Sequence, residues 1–329
     1  MSLVTGVTDE RSAVRSAVSA PPLFLVGAER SGTTLLRLML DHHPQLAWLQ
    51  EFEYAVDLVS DDGRWPDMAR FRAHLEVDRI FRARGFAIDA ELDYPALVRD
   101  FLEQRRRRAN KPIAGATVHR HFDRLLHIWP DAHFIHIFRD GRDVARSNVG
   151  MGWAGNAYFG ATRWIEAERL WDRVAARLPA DRYLNVRQED LIRQTQSTLT
   201  RICAFIGVPY DDAMLNYAEK SSYERPDPRL VEQWRRKARP AEIRAIESRC
   251  AELLATRGYE PSGLPPLTIG PLRELWLRMT DRWGVMRFRQ RRYGLGLWLA
   301  AAIAPRLGAR QWERGLRLRI NAIDEQHLQ

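Results

Sequence analysis

Short apolar runs alternate along the chain with longer stretches whose apolar positions recur at helical spacing. Leu23-Phe-Leu-Val26 is such a run, stopping at Gly27, and predicts a buried strand. After a polar loop, Leu35, Leu36, Met39 and Leu40 share one helix face and predict a helix over about Thr33–Leu40. His43-Pro44 ends it, because proline disfavours helical backbone in the residue before it. Mostly helical segments are expected up to about Ala109, with the run Arg105–Arg108 as a solvated helix face. Ile113–Val118 reads as a weak strand and His133–Phe138 as a strong one, followed by the polar turn Arg139–Asp143 and a helix. Tyr183–Val186 predicts another strand, with a helix from about Glu189 to Ile206. Trp164 and Trp171 stand seven apart on a helical stretch and are expected in the core, as is Cys203 between Ile202 and Phe205.

Strands separated by helices predict an α/β fold, a doubly wound parallel sheet flanked by helices. The stretch from Pro261 to Pro266, with Gly270-Pro271 behind it, reads as a linker. The chain therefore divides into a flexible leader over 1–20, a main domain over 21–263 and a helical extension over 264–329.

Charge sharpens that division. The 329 residues carry a formal net charge of +9. The extension holds 12 arginines against 5 acids, and the rest of the chain 39 basic against 37 acidic residues. A nearly neutral main domain with no nucleic-acid motif argues against nucleic-acid binding. No apolar run approaches the roughly 20 residues that span a bilayer. The N-terminus mixes Asp9, Glu10, Arg11 and Arg15 with small residues, so no signal-peptide core is expected and the cytoplasm is the expected location. Two cysteines, Cys203 and Cys250, exclude a disulfide framework.

The candidate chemistry begins between the first strand and the first helix. Gly27-Ala-Glu-Arg30-Ser31-Gly32-Thr33-Thr34 has the G-x4-G spacing of a phosphate-binding loop, giving a P-loop-like fold. Such a loop turns backbone N–H groups toward an anion at the positive end of the following helix. An ATP loop places lysine after the second glycine, but here that position is Thr33 and the loop's cation is Arg30. Arg139 falls at the carboxyl end of the strong strand, where open α/β sheets bind ligands, and Ser147 lies about two turns into the next helix. An arginine fork with a hydroxyl donor suits a phosphate monoester. A pairing of Arg139 with Asp140 or Asp143 is the purely structural alternative.

These segments resemble the PAPS-dependent sulfotransferases (PAPS, 3′-phosphoadenosine 5′-phosphosulfate), in the branch holding protein-tyrosine and many bacterial sulfotransferases. The resemblance rests on Arg30–Thr34 with the helix up to Pro44, on Phe134–Ser147, and on Tyr183–Leu191 through Pro209, and extends from about Pro22 to Pro261. It implies transfer of a sulfuryl group from PAPS to an acceptor hydroxyl (carbohydrate, glycolipid or small metabolite), with PAP released and no metal required. By the same resemblance, Arg30, Ser31, Gly32, Thr33 and Thr34 hold the 5′ end of the nucleotide, and Arg139 and Ser147 its 3′-phosphate. Arg30 is expected to stabilise charge on the bridging oxygen. Glu51 matches the branch's catalytic glutamate, with Glu53 and His119 as rival bases. Two departures stand out: Ala116 replaces the usual lysine, with Arg120 as a substitute cation, and Gln188 replaces the usual tyrosine. The competing readings are a P-loop kinase with Asp140 as a magnesium ligand, and a nucleotide-binding relative without activity.

The extension interleaves Trp276, Trp283, Phe288, Trp298 and Trp312 with arginines. Such spacing predicts that most of these rings pack on the main domain. The alternative is a basic amphipathic surface in peripheral contact with an anionic membrane.

Overall fold

A computed structural model describes residues 21–221, 225–307 and 310–327, so the expected leader lies outside the described residues. Five parallel strands form one sheet: β1 (Leu23–Val26), β2 (Leu46–Glu51), β3 (Ile113–Val118), β4 (His133–Phe138) and β5 (Tyr183–Arg187), in the order β2-β3-β1-β4-β5. Residues alternate between the faces, as a strand period of two requires. Leu23, Leu25, Ile135 and Ile137 pack with α1 (Thr33–His42) and the helix Thr195–Ile206. Phe24, Val26, Ala116, Val118 and Phe134 face the layer containing the helix Tyr94–Ala109 and Trp171. With helices on both faces, the sheet has the expected doubly wound arrangement, and Trp164, Trp171 and Cys203 are buried as expected.

Three expectations need correction. The stretch after Pro44 is not wholly helical, because Leu46–Glu51 forms β2 along the edge of β3. Its residues carry no strong strand signal; long-range contacts impose the extended form. Lys111 Nζ donates to the carbonyls of Asp41 and Leu46, and Trp48 N–H donates to the Asp41 carboxylate at 2.8 Å. The helix expected from Glu189 to Ile206 breaks at Gln194 into Gln188–Arg193 and Thr195–Ile206. In the extension, the helices Pro271–Tyr293, Leu295–Ile303 and Arg310–His327 form as expected, but Trp276, Trp283 and Trp312 are exposed rather than packed on the domain.

The turn after β4 is locked from beneath. Asp140 caps the helix Gly141–Gly150 and is buried, with its carboxylate held by the Arg142 side chain and by Trp234 Nε1 at 2.9 Å. The buried Arg142 also reaches Glu247 at 2.8 Å and stacks 3.7 Å from the Trp234 ring centre. Removing the cation leaves Asp140 buried and undercompensated. Arg142→Leu is therefore expected to lower unfolding stability by about 3 kcal/mol or more, read by chemical denaturation.

Candidate functional site

The carboxyl ends of all five strands converge on one edge of the sheet. The chain leaves β1 toward β2 on one side, and leaves the adjacent β4 toward β5 on the other. That reversal opens a crevice at the strand ends, the place where open parallel sheets bind ligands.

The loop from β1 to α1 lines this crevice. A Cβ at Gly27 would stand 2.1 Å from the Ile137 carbonyl oxygen, so only glycine lets the loop leave β1 so close to β4. Arg30 and Gly32 both have left-handed backbone, at φ 70° and 91°, which folds the loop over the start of α1. Gly32 caps α1 without a side-chain hydrogen bond, so the first-turn amides of α1 remain available to an anion. Ser31 is fully buried and its hydroxyl has no hydrogen-bond partner among the described residues. A buried hydroxyl left unpaired in such a cradle fits a ligand oxygen.

A second group of donors stands across the crevice. Arg30 Nε donates to Ser147 Oγ at 2.9 Å, although the two are 117 positions apart. Arg139 donates to the Arg30 carbonyl at 3.4 Å and to the Leu230 carbonyl at 3.1 Å. It also pairs with Asp143 at 3.2 Å, so the structural pairing is present, while its Nε–H is buried without a partner among the described residues. The fold thus brings Arg30, Ser147 and Arg139 together around one opening.

The carboxylates and the histidine occupy the β2–β3 side. A register shift between Leu49 and Glu51 re-aims the end of β2, and Glu51 is exposed there. Solvent reaches Glu51, yet the surrounding protein raises its pKa above the ordinary carboxyl range, with a further push from the Glu53 carboxylate. Glu53 has a different environment. It is buried and accepts from His119 Nδ1 at 2.7 Å and from the His119 backbone N–H at 2.8 Å. Burial alone would raise its pKa, but the His119 charge and these bonds outweigh it and hold the carboxylate below its ordinary range. The same pair raises His119: burial opposes the charged ring, and the Glu53 carboxylate overcomes that, assisted by Glu29 and Glu51. His119 Nε2 meets Thr33 Oγ1 at 3.0 Å, linking β3 to the phosphate loop. Both ring nitrogens are therefore engaged, whereas among the described residues the Glu51 carboxylate has no hydrogen bond or ion pair.

The two sequence departures also find a place. Ala116 packs in the apolar core opposite Phe24 and Leu49, so that position does not face the loop. Arg120 forks onto Asp57 at 2.9 and 2.7 Å, whereas its neighbour His119 reaches the loop at Thr33. Gln188, at the end of β5, lies over Gly32, with its Cγ 2.6 Å from where a Cβ would stand and its Oε1 unpartnered among the described residues. Asp140, the magnesium ligand of the kinase reading, is committed to Arg142 and Trp234.

A strand–loop–helix cradle thus faces an arginine–hydroxyl pair at the strand ends of a parallel α/β sheet. Residues 21–212 match the sulfotransferase family, and the chain belongs to that family. It is 25% identical to protein-tyrosine sulfotransferase 1 of Danio rerio over 277 residues, 75% of this chain and 74% of that protein. The protein-tyrosine sulfotransferase 2 of Gallus gallus is 24% identical over 278 residues, 77% of this chain and 73% of the relative. Among solved structures, the sulfotransferase domain of the Synechococcus PCC 7002 olefin synthase shares the fold, with a TM-score of 0.55 and 22% identity over 74% of this chain and 98% of that domain. The sulfotransferase domain of the curacin biosynthetic pathway does so at a TM-score of 0.51 and 17% identity, over 74% of this chain and 99% of that domain.

The His119 proton decides what Thr33 can do. With the imidazole charged, Nε2–H donates to Thr33 Oγ1 and leaves the hydroxyl proton for a bound anion. With the imidazole neutral and Nδ1–H held by Glu53, Nε2 takes the hydroxyl proton instead. Affinity of the loop for an anion such as sulfate is therefore expected to fall about tenfold as pH rises through the raised His119 pKa, the scale of one hydrogen bond to a charged group. Titration calorimetry across pH checks this, and Thr33→Val should remove the dependence. The pair's contribution to stability has the matching window. It is complete between ordinary carboxyl and imidazole values, and is lost as pH falls through the depressed Glu53 pKa or rises through the raised His119 pKa.

Proposed function

We propose that the chain transfers a sulfuryl group from PAPS to an acceptor hydroxyl and releases PAP. The observation that carries this reading is the meeting of the phosphate loop with a second anion site, joined by the bond from Arg30 to Ser147. The loop amides with Ser31, Thr33 and Thr34 would hold the 5′ end of the nucleotide, and Arg139 and Ser147 its 3′-phosphate. The unpaired Ser31 hydroxyl and Arg139 Nε–H fit such groups. PAPS, when bound, supplies the sulfuryl group and the nucleotide that leaves with the electrons of the broken S–O bond.

Glu51 takes the acceptor's hydroxyl proton as the new O–S bond forms, its raised pKa improving it as a base at the crevice mouth. Arg30 holds the charge that develops on the bridging oxygen. His119, fixed by Glu53, orients the Thr33 hydroxyl toward the transferred group. In-line transfer of this kind depends on positioning and charge stabilisation, both of which these residues provide.

Transfer of label from sulfur-labelled PAPS to a panel of glycans, glycolipids and small hydroxylated metabolites tests the reading directly. Glu51→Gln is expected to keep PAP affinity while lowering turnover about 100-fold or more. Full activity in Glu51→Gln, with loss in His119→Ala, would move the base to the histidine. Arg139→Ala should weaken PAP binding by about 2 kcal/mol or more, and unchanged affinity would sink the 3′-phosphate assignment.

A further inference from the structure

The helix Pro271–Tyr293 has two opposed faces. Leu277, Asp281, Gly284 and Phe288 follow one line along it, and this line is docked. The Leu277 carbonyl accepts from Asn156 Nδ2 at 2.8 Å, and the Asp281 carboxylate accepts from Gly155 N–H at 2.7 Å. Gly284 lies against Gly155, and the Phe288 ring against Gly152. The docking segment directly follows the helix that carries Ser147.

Leu272, Leu275, Trp276, Met279 and Trp283 form a second line at i, i+3, i+4, i+7 and i+11. At 3.6 residues per turn this line falls on the side away from the docked one. All five are exposed, Leu272 to 85%, Met279 to 62% and Trp276 to 60%. Contiguous apolar exposure of this kind marks an interaction site.

The charges around the stripe are equally ordered. Arg278, Arg282 and Arg289 project along one flank by the same helical arithmetic, and Arg273, Arg287 and Arg291 along the other. Arg278 is paired with Glu274, and Arg287 stacks 5.1 Å from the Trp283 ring centre. Arg273, Arg282, Arg287, Arg289 and Arg291 have no ion pair among the described residues. The helix Leu295–Ile303 adds a further exposed line of Leu295, Leu299 and Ile303.

We propose that this face docks the protein on the surface of a membrane rich in anionic lipid, with the stripe entering the headgroup boundary and the arginine rows meeting phosphate. An apolar stripe between two cationic rows is the geometry of a helix lying in an interface, where long basic side chains keep their charge in the headgroup layer. Two copies packed stripe to stripe would set arginine rows against each other, so charge complementarity favours the anionic surface. No helix among the described residues is long and apolar enough to cross a membrane.

Sedimentation of the full chain with vesicles of phosphatidylcholine plus phosphatidylglycerol, and of phosphatidylcholine alone, tests the proposal. Binding should require the anionic lipid, weaken with salt, and shift tryptophan fluorescence to the blue. The exposed triple variant Trp276→Ser, Met279→Ser, Trp283→Ser should bind about tenfold or more weakly while keeping the circular dichroism spectrum and unfolding midpoint of the parent, which report an intact fold. Arg282→Gln, Arg287→Gln, Arg289→Gln should lose most of the salt dependence. Absence of sedimentation at low salt overturns the proposal. So does undiminished binding by the triple variant, or a dimer that the triple variant dissociates.

Discussion

The turn between β1 and α1 is the constraint from which the rest of the crevice follows. β1 is the central strand, paired with β3 and β4, so its exit is crowded from both sides. The contact of Gly27 with the Ile137 carbonyl and the left-handed backbone at Arg30 and Gly32 let the chain turn within a few residues into α1. That turn points the helix's free amides at the strand ends. It also projects Arg30 toward β4, where Ser147 receives it. A side chain at either glycine would displace backbone or Gln188, so the loop's shape and the crevice's shape are one property.

Around that loop, the cation at the end of β3 is a histidine rather than the lysine that the sequence resemblance implies. The position where a lysine is expected holds Ala116, and the sheet packs it into the core. The next available side chain that reaches the loop is His119, and the protein makes it a stronger cation by burying Glu53 against its Nδ1. The result is a chain of contacts from Glu53 through His119 to Thr33 at the start of α1. Two neighbouring carboxylates are thereby separated in role. Glu53 is spent on the imidazole and held low, whereas Glu51 stays at the surface and is pushed up. Environments that drive two titratable groups apart are the usual means of assigning acid and base work within one site.

Much of this was readable from the amino-acid order, and the reason is local. The apolar runs of β1 and β4, the glycine spacing and the Arg139–Ser147 segment each carry their signal within about ten residues. β2 was not readable, because Leu46–Glu51 becomes a strand through contacts with Asp41, Lys111 and β3 that no short window contains. The same holds for Glu53 and His119. They stand 66 positions apart, and only the parallel pairing of β2 with β3 brings the strand ends together. The exposure of Trp276 and Trp283 was missed for another reason. Helical spacing marks an apolar stripe but does not say what covers it, and here Leu277, Gly284 and Phe288 provide the docking face instead.

The sulfotransferase fold presents a β1–α1 loop that lacks the lysine of ATP sites, and PAP is the nucleotide proposed for it. Competition between PAP and ATP with magnesium, read by titration calorimetry on the full chain, addresses that claim most directly. PAP is expected to bind at least about tenfold more tightly than ATP with magnesium, and Gly32→Ala to lose the PAP heat because its Cβ collides with Gln188. Tight binding of ATP with magnesium and no measurable affinity for PAP would contradict it.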